Sequence, residues 1–396
     1  MKIEKIKYLL LGLVVALLLQ LSSCSEKDNN PTEPKNVRIV SIKEIGKKTK
    51  FELQLLLALE GINLTPSYDV NLYKIEYHST AKNTAPVVAS GLICIPITNN
   101  AKRGIVSCQQ GTMLKNYEAP SNNSYGYSTY QTAIMASLGY IAVSNDYLGF
   151  GSTANSNFPQ AYHIYSYSVN DWLLFMKAVE EYISNNSIAT SKDLYLMGYS
   201  HGGYNVTAAM KEWETKNYNF FNLKEVYAGS GAYLLSNLVD TIFNNNDYEG
   251  TVLAPLFITA YNYYYDLNMS NEYIYKPEYS DIIDIIYNVN SPQDPETIIP
   301  NKLNELFEES FINDMKNKTG KLYPKLAENN IINFIPKNKL YIFHSENDEL
   351  IPISIANTAF NYYNNGGNVE LIKSPSAIEH RYTYLDFMNF VLDKLK

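Results

Sequence analysis

The stretch LYLMGYSHGGY, Leu194 to Tyr204, decides how the rest of the chain is read. Leu194, Tyr195, Leu196 and Met197 are apolar or aromatic, as in a buried strand. Ala208-Ala209-Met210-Lys211-Glu212 further on are good helix formers. Between them stands Gly198-Tyr199-Ser200-His201-Gly202, a G-x-S-x-G step. A strand that turns directly into a helix holds its apical residue in strained backbone with the side chain projecting. Glycines two positions to either side remove the Cβ atoms that would collide there. Ser200 is therefore expected at the helix N-terminus, where N–H groups and the helix dipole favour developing negative charge.

Outward from this step, strands and helices alternate between about 104 and 228. Strands are predicted at 104–107, 140–144 and 223–228, and helices at 128–138 and 169–183. The last helix carries Trp172, Phe175, Met176, Val179, Tyr182 and Ile183 on one face, a core stripe. Such alternation predicts an α/β fold, a mostly parallel sheet with crossover helices on both faces. Upstream, a short helix is expected at 51–60. Alternating runs at 70–78 and 87–95 read as an antiparallel pair at one sheet edge. From 235 to 338 the pattern becomes Tyr-, Asn- and acid-rich, with short helical pieces at 280–287, 303–315 and 322–330 and no good strand. This segment reads as a cap inserted over one end of the sheet. Strand character resumes at 339–343, then helix at 354–363, strand at 368–373 and a closing helix at 379–395. The expected division is a signal segment at 1–23, a tether at 24–36, a core of 37–234 plus 339–396, and the cap at 235–338.

The N-terminal segment has a basic start (Lys2, Lys5, Lys7) and a run of 12 residues, Tyr8 to Leu19, that is too short to span a bilayer. It ends in Leu21-Ser22-Ser23-Cys24, which resembles a bacterial lipobox. That resemblance implies that Cys24 is lipidated and holds an exported protein on a bacterial membrane, with Ser25 to Lys35 as a flexible tether. Net charge is −8 and no basic run follows the first residues, so nucleic acid is a poor partner. A monomer is expected. The 35 tyrosines accompany abundant Asn, Lys and Ile, a compositional bias rather than a binding surface. Cys94 and Cys108 fall in apolar runs. An exported protein could join them, and two buried thiols fit equally. No Cys/His cluster has zinc spacing, so no metal or cofactor is implied.

A serine hydroxyl needs a general base, and the base an orienting acid. Of five histidines, His380 lies after the last strand and before the last helix, and it is the expected base, with His344 and His163 as rivals. Asp348 lies in the loop after the strand at 339–343, at the carboxyl end where open parallel sheets form sites. Glu346 and Glu349 compete with it for the acid role. For an oxyanion hole, the His201 N–H follows the serine directly. A second donor is expected from the loop after the 104–107 strand, at Thr112 or else Met113.

Together these features resemble the α/β-hydrolase superfamily, and more narrowly bacterial exported hydrolases related to secretory lipases. The matching landmarks are Ser90-Gly91, Ile95-Pro96, Gly111-Thr112, Asp146-Tyr147-Leu148-Gly149-Phe150-Gly151, the GYSHGG step, the His344-to-Pro352 loop and His380. Coverage runs from about Tyr73 to the C-terminus, apart from the insertion. Relatives usually carry His before Gly-Thr, where this chain has Gln110. The resemblance implies a Ser200-Asp348-His380 triad hydrolysing carboxylic esters, with lipid or other hydrophobic acyl esters as substrates. Two readings stand beside it. One is a serine peptidase of the prolyl-oligopeptidase kind, which normally carries a propeller for which the roughly 50 residues before the sheet leave no room. The other is a non-catalytic surface-binding lipoprotein.

Overall fold

A computed structural model describes residues 38–245, 248 and 250–396. The expected signal segment, Cys24 and the tether lie outside the described residues. Among the described residues, nine strands form one sheet in the order β1-β2-β3-β5-β4-β6-β7-β8-β9. Their ranges are β1 Ile39–Lys48, β2 Val70–Thr80, β3 Pro86–Pro96, β4 Ile105–Gln109, β5 Ile141–Asn145, β6 Asp193–Tyr199, β7 Asn222–Gly229, β8 Lys339–His344 and β9 Val369–Lys373. The pairs among β1, β2, β3 and β5 are antiparallel, and every pair from β5 through β4 to β9 is parallel.

The longer helices are α1 (Lys50–Leu59), α2 (Tyr127–Ser137), α3 (Tyr165–Asn185), α4 (His201–Lys216), α5 (Leu235–Asn244), α6 (Ala254–Tyr264), α7 (Glu309–Lys316), α8 (Ile353–Tyr363) and α9 (His380–Leu395). They bury two apolar clusters, one on each face of the sheet, as a parallel sheet covered on both sides requires. One cluster gathers Trp172, Phe175 and Met176 of α3 with Val206 and Met210 of α4. The other gathers Leu53 and Leu57 of α1, Ala133 and Met135 of α2, and Phe387 and Val391 of α9. The stripe read at 169–183 is therefore core, and Trp172 Nε1 also donates to Ser107 Oγ on β4 at 3.0 Å.

Three expectations are corrected. The edge pair is not the edge: β1 adds a further antiparallel strand outside β2. Its pattern IVSIKEIGKK breaks alternation at two register shifts, which hid it. Of the two readings left open for Cys94 and Cys108, the structure has the buried free thiols. β5 separates β3 from β4, so the two thiols are not on adjacent strands. Burial raises both thiols, Cys108 to about 12, leaving them protonated. The inserted stretch opens with two helices, α5 and α6, which its polar composition concealed. The helix expected at 303–315 breaks at Phe307, where a bridge to Tyr275 takes over the backbone pairing. The insertion shares the core of the α3/α4 face through Leu235, Val239, Phe257 and Tyr261.

Candidate active site

The step from β6 to α4 has the geometry its glycines predict. Ser200 sits at φ 58°, ψ −119°, a conformation that costs a non-glycine residue of order 1–3 kcal/mol and persists only where its surroundings enforce it. Enforcement comes from close packing. A Cβ at Gly198 would strike the Gly202 carbonyl, and one at Gly202 the Gln109 carbonyl of β4. The Ser200 N–H donates to the Gly229 carbonyl of β7 at 2.8 Å. It is thus unavailable to a ligand, while the His201 N–H belongs to the unpaired first turn of α4.

The acid and the base come together from separate loops. Asp348, after β8, has its two carboxylate oxygens 2.9 and 2.8 Å from His380 Nδ1, at the start of α9. Asp348 Oδ1 also accepts the Ile351 N–H at 2.8 Å and the Leu350 N–H at 3.2 Å. Burial pushes this carboxyl up, but the His380 hydrogen bond, the nearby His380 and His344 rings and the Ile351 N–H outweigh it. The net position is below the ordinary value. Two of the other candidates, Glu349 and His344, hold this pair in place. The His380 N–H donates to Glu349 Oε2 at 2.7 Å. Tyr199, the residue before the serine, donates its hydroxyl to the His380 carbonyl at 2.7 Å. His344 is buried with Nε2 at 2.7 Å from the Ile351 carbonyl and 3.5 Å from Asp348 Oδ2, so it braces the acid loop. Glu346 pairs with Lys373 at the surface.

Ser200 and His380 line the same cavity, about 50 Å³ in volume. No hydrogen bond joins the two side chains among the described residues. Catalytic contacts are often loose in the unliganded state and tighten with substrate. His163 lines this cavity too, but no carboxylate orients it and burial pushes its ring down to about 3, too weak a base to activate a serine. Most of the remaining wall is apolar and comes from the insertion: Leu235, Leu238, Val239 and Ile242 of α5, Ala254, Phe257 and Tyr261 of α6, and Leu326. Of the consecutive residues Tyr261 to Tyr265 (YNYYY), only Tyr261 reaches it. Tyr264 and Tyr265 bind Pro159 and Asn329 instead, and Lys82 lies over the Tyr263 ring.

The loop after β4 passes beside the serine: a Cβ on Gly111 would lie 4.0 Å from Ser200 Cβ. Gln110 anchors this loop. Its amide nitrogen donates to the Asn145 carbonyl at 2.6 Å and its amide oxygen accepts from Ser144 Oγ at 2.7 Å. Tyr147, at φ 64°, donates to the Gln110 carbonyl at 2.8 Å. Thr112 Oγ1 shares a hydrogen bond of 2.6 Å with the Tyr162 hydroxyl, and Met113 is buried against Tyr147 and Phe150. The side chain of His201 points away from the cavity's reacting end, into a buried ring cluster of Tyr147, Tyr162 and His163. Asp146 serves the structure rather than the chemistry. Its carboxylate accepts Ser90 Oγ at 2.5 Å, the Ser121 N–H at 2.8 Å and Ser121 Oγ. Gly151 fits only because a Cβ there would strike Asp146 and Ser90. Sequence reasoning missed Tyr162 and Tyr199 as site supports. Tyr199's place inside the G-x-S-x-G step was the one available signal.

A serine on a strand-to-helix turn, with a carboxylate carried after β8 and an imidazole after β9, sets the architecture. The fold is that of the α/β-hydrolases. The prolyl oligopeptidase family matches residues 125–242, which include the G-x-S-x-G step but neither Asp348 nor His380. Comparison with curated proteins gives no match. Among solved structures, the rice cell wall degrading esterase LipA from Xanthomonas oryzae superposes with a TM-score of 0.81 at 19% identity, covering 92% of this chain and 100% of LipA. A Legionella pneumophila protein provisionally assigned as a hydrolase gives 0.80 at 23%, covering 90% and 97%. Candida antarctica lipase A in its closed state gives 0.62 at 16%, covering 88% and 80%. At these identities the likeness is one of fold.

Proposed function

We propose that the protein is a serine esterase that hydrolyses carboxylic esters with apolar acyl groups through an acyl-enzyme. Ser200 Oγ attacks the ester carbonyl while His380 Nε2 takes its proton. Asp348 holds the Nδ1–H tautomer and stabilises the imidazolium that forms. The His201 and Thr112 N–H groups receive the oxyanion, where loss of one such donor costs about 2.7–4 kcal/mol. His380 then returns the proton to the leaving alcohol, and water, activated by the same imidazole, releases the acid.

The observation that carries this reading is the cavity at Ser200. Among the described residues that line it, the ionisable side chains are two histidines and three tyrosines, and aliphatic side chains of α5 face the serine. A wall of that kind favours an alkyl chain. Hydrolysis of p-nitrophenyl esters of increasing chain length by the wild type, and its loss in Ser200→Ala, is the test. Failure to cleave any ester would sink the reading. The match of residues 125–242 to the prolyl oligopeptidase family favours a peptidase as second reading. Cleavage of dipeptidyl-proline chromogenic substrates faster than of any ester would select it. A fluorophosphonate probe that leaves Ser200 unlabelled would point to a non-catalytic binding protein.

We further propose that Cys24 is acylated and anchors the protein to a bacterial membrane as a monomer. The basic start, the short apolar run and the Leu-Ser-Ser-Cys ending support it. Metabolic labelling with radioactive palmitate should mark the wild type and not Cys24→Ser.

A further inference from the structure

Helix α1, KFELQLLLAL, is apolar on two faces. Leu53 and Leu57 are buried in the core. Phe51, Leu55 and Leu59, spaced four residues apart, form a second stripe that is 75%, 53% and 76% exposed. A soluble helix normally turns its polar face outward, so an apolar stripe on that side calls for a partner. The stripe is not isolated. A cavity of about 230 Å³ beside it is lined by Leu56, Tyr125, Tyr127, Tyr384 and Leu385. Tyr125 and Tyr127 are themselves 73% and 59% exposed. Tyr125 is held next to the start of α1 by Lys48, whose ammonium lies 3.9 Å from its ring centre.

We propose that this face of α1, with Tyr125 and Tyr127, docks on the surface of a lipid bilayer. Three features select that occupant. Aliphatic and phenyl groups occupy the centre while tyrosines, whose rings prefer the membrane–water boundary, stand at the side. The exposed charges around α1 are balanced, Lys43, Lys47 and Lys50 against Glu44, Glu52 and Glu60. Attraction therefore comes from apolar burial, and an uncharged phosphatidylcholine surface suffices. The chain also reaches. Cys24 precedes Arg38 by 14 residues (38 − 24). That length spans at most about 50 Å, whereas β1, which separates Arg38 from α1, covers only about 33 Å. A chain fixed to a bilayer at Cys24 can lay α1 on the same surface. The docked face also borders the candidate site, since Tyr199 contacts both the His380 ring and the Tyr384 ring of the groove.

The test places one reactive thiol on the stripe of the full chain. Cys94 and Cys108 are buried, so Cys24→Ser with Leu59→Cys leaves position 59 for an environment-sensitive fluorophore, and no anchor is needed. Tyr362→Cys on α8, at the far side of the sheet, is the control. With phosphatidylcholine vesicles, position 59 is expected to shift to the blue and position 362 to stay unchanged. Adding Phe51→Ser and Leu55→Ser should shrink the shift about twofold or more while hydrolysis of a short soluble ester stays within about twofold. Vesicle binding by flotation without a shift at position 59 would overturn the proposal. So would a shift that needs no vesicles, either growing with protein concentration, which assigns the face to a second copy, or independent of it, which assigns it to residues 1–37.

Discussion

The two walls of the cavity at Ser200 are built by different rules. On the sheet side, each group has its position fixed by backbone. The Ser200 N–H is tied to Gly229, the His380 N–H to Glu349 and the His380 carbonyl to Tyr199. Asp348 is tied to the N–H groups of Leu350 and Ile351. On the inserted side, Leu235, Leu238, Val239 and Ile242 present only side-chain surface. Directional bonds fix positions to fractions of an ångström and tolerate no substitution of type. Apolar packing is non-directional and tolerates changes that preserve volume. On the proposed esterase reading, the sheet wall carries the chemistry and the inserted wall selects the acyl chain.

The largest effect should come from the centre of the sheet wall. Ser200→Ala is expected to lower kcat about 10⁴-fold or more toward every ester with KM little changed, as steady-state kinetics would read. Asp348→Asn should cost about 10³–10⁴ in kcat, because the amide no longer favours the Nδ1–H tautomer. If both variants changed KM alone, the sheet wall would be a binding surface rather than a reacting one.

His163 lies on the seam. Its carbonyl accepts from Tyr204 of α4 at 3.4 Å and from Tyr261 of α6 at 3.0 Å. Burial pushes its ring to about 3. The folded value is depressed for a group that is neutral when deprotonated, so protons bind the unfolded chain preferentially. Stability is complete above about pH 6.5 and falls as pH drops, by up to about 2 kcal/mol from this ring between pH 6.5 and 5. Denaturant titrations of His163→Asn should display a flatter acid limb. An unchanged limb would mean that the seam opens to water.

On the inserted wall, Val239→Trp should leave acetate esters within about threefold and slow octanoate or longer esters about tenfold or more. Equal losses on all chain lengths would erase the distinction between the walls. The smallest effect is expected for Tyr162→Phe. It removes the bond to Thr112 Oγ1, which is worth about 0.5–1.5 kcal/mol, and so should lower kcat about threefold to tenfold.

Legibility followed distance along the chain. The step around Ser200 could be read because the strand, the turn glycines and the helix are consecutive, and their sterics are local. Asp348 and His380 could be placed because each follows a strand, and parallel strands bring their carboxyl ends to one side. The role of Gln110 could not, because its amide is satisfied by Ser144 and Asn145 on a neighbouring strand. β1 escaped because its two register shifts break the alternation on which strand reading depends. Helices α5 and α6 escaped because they lie in Tyr- and Asn-rich surroundings that hid their apolar faces. Their stability comes from packing on the core rather than from propensity.

The chain's own order therefore carried the strained turn at Ser200, the class of fold and the chemical types of the acid and base proposed for it, since these rest on steric and periodic rules acting over a few residues. Folding in three dimensions decided which of five histidines meets a carboxylate and which strand separates Cys94 from Cys108. It also decided which apolar face encloses the serine and which, on α1, is left outside. Those outcomes depend on long-range packing, where one strand's position in the sheet order changes every neighbour it has.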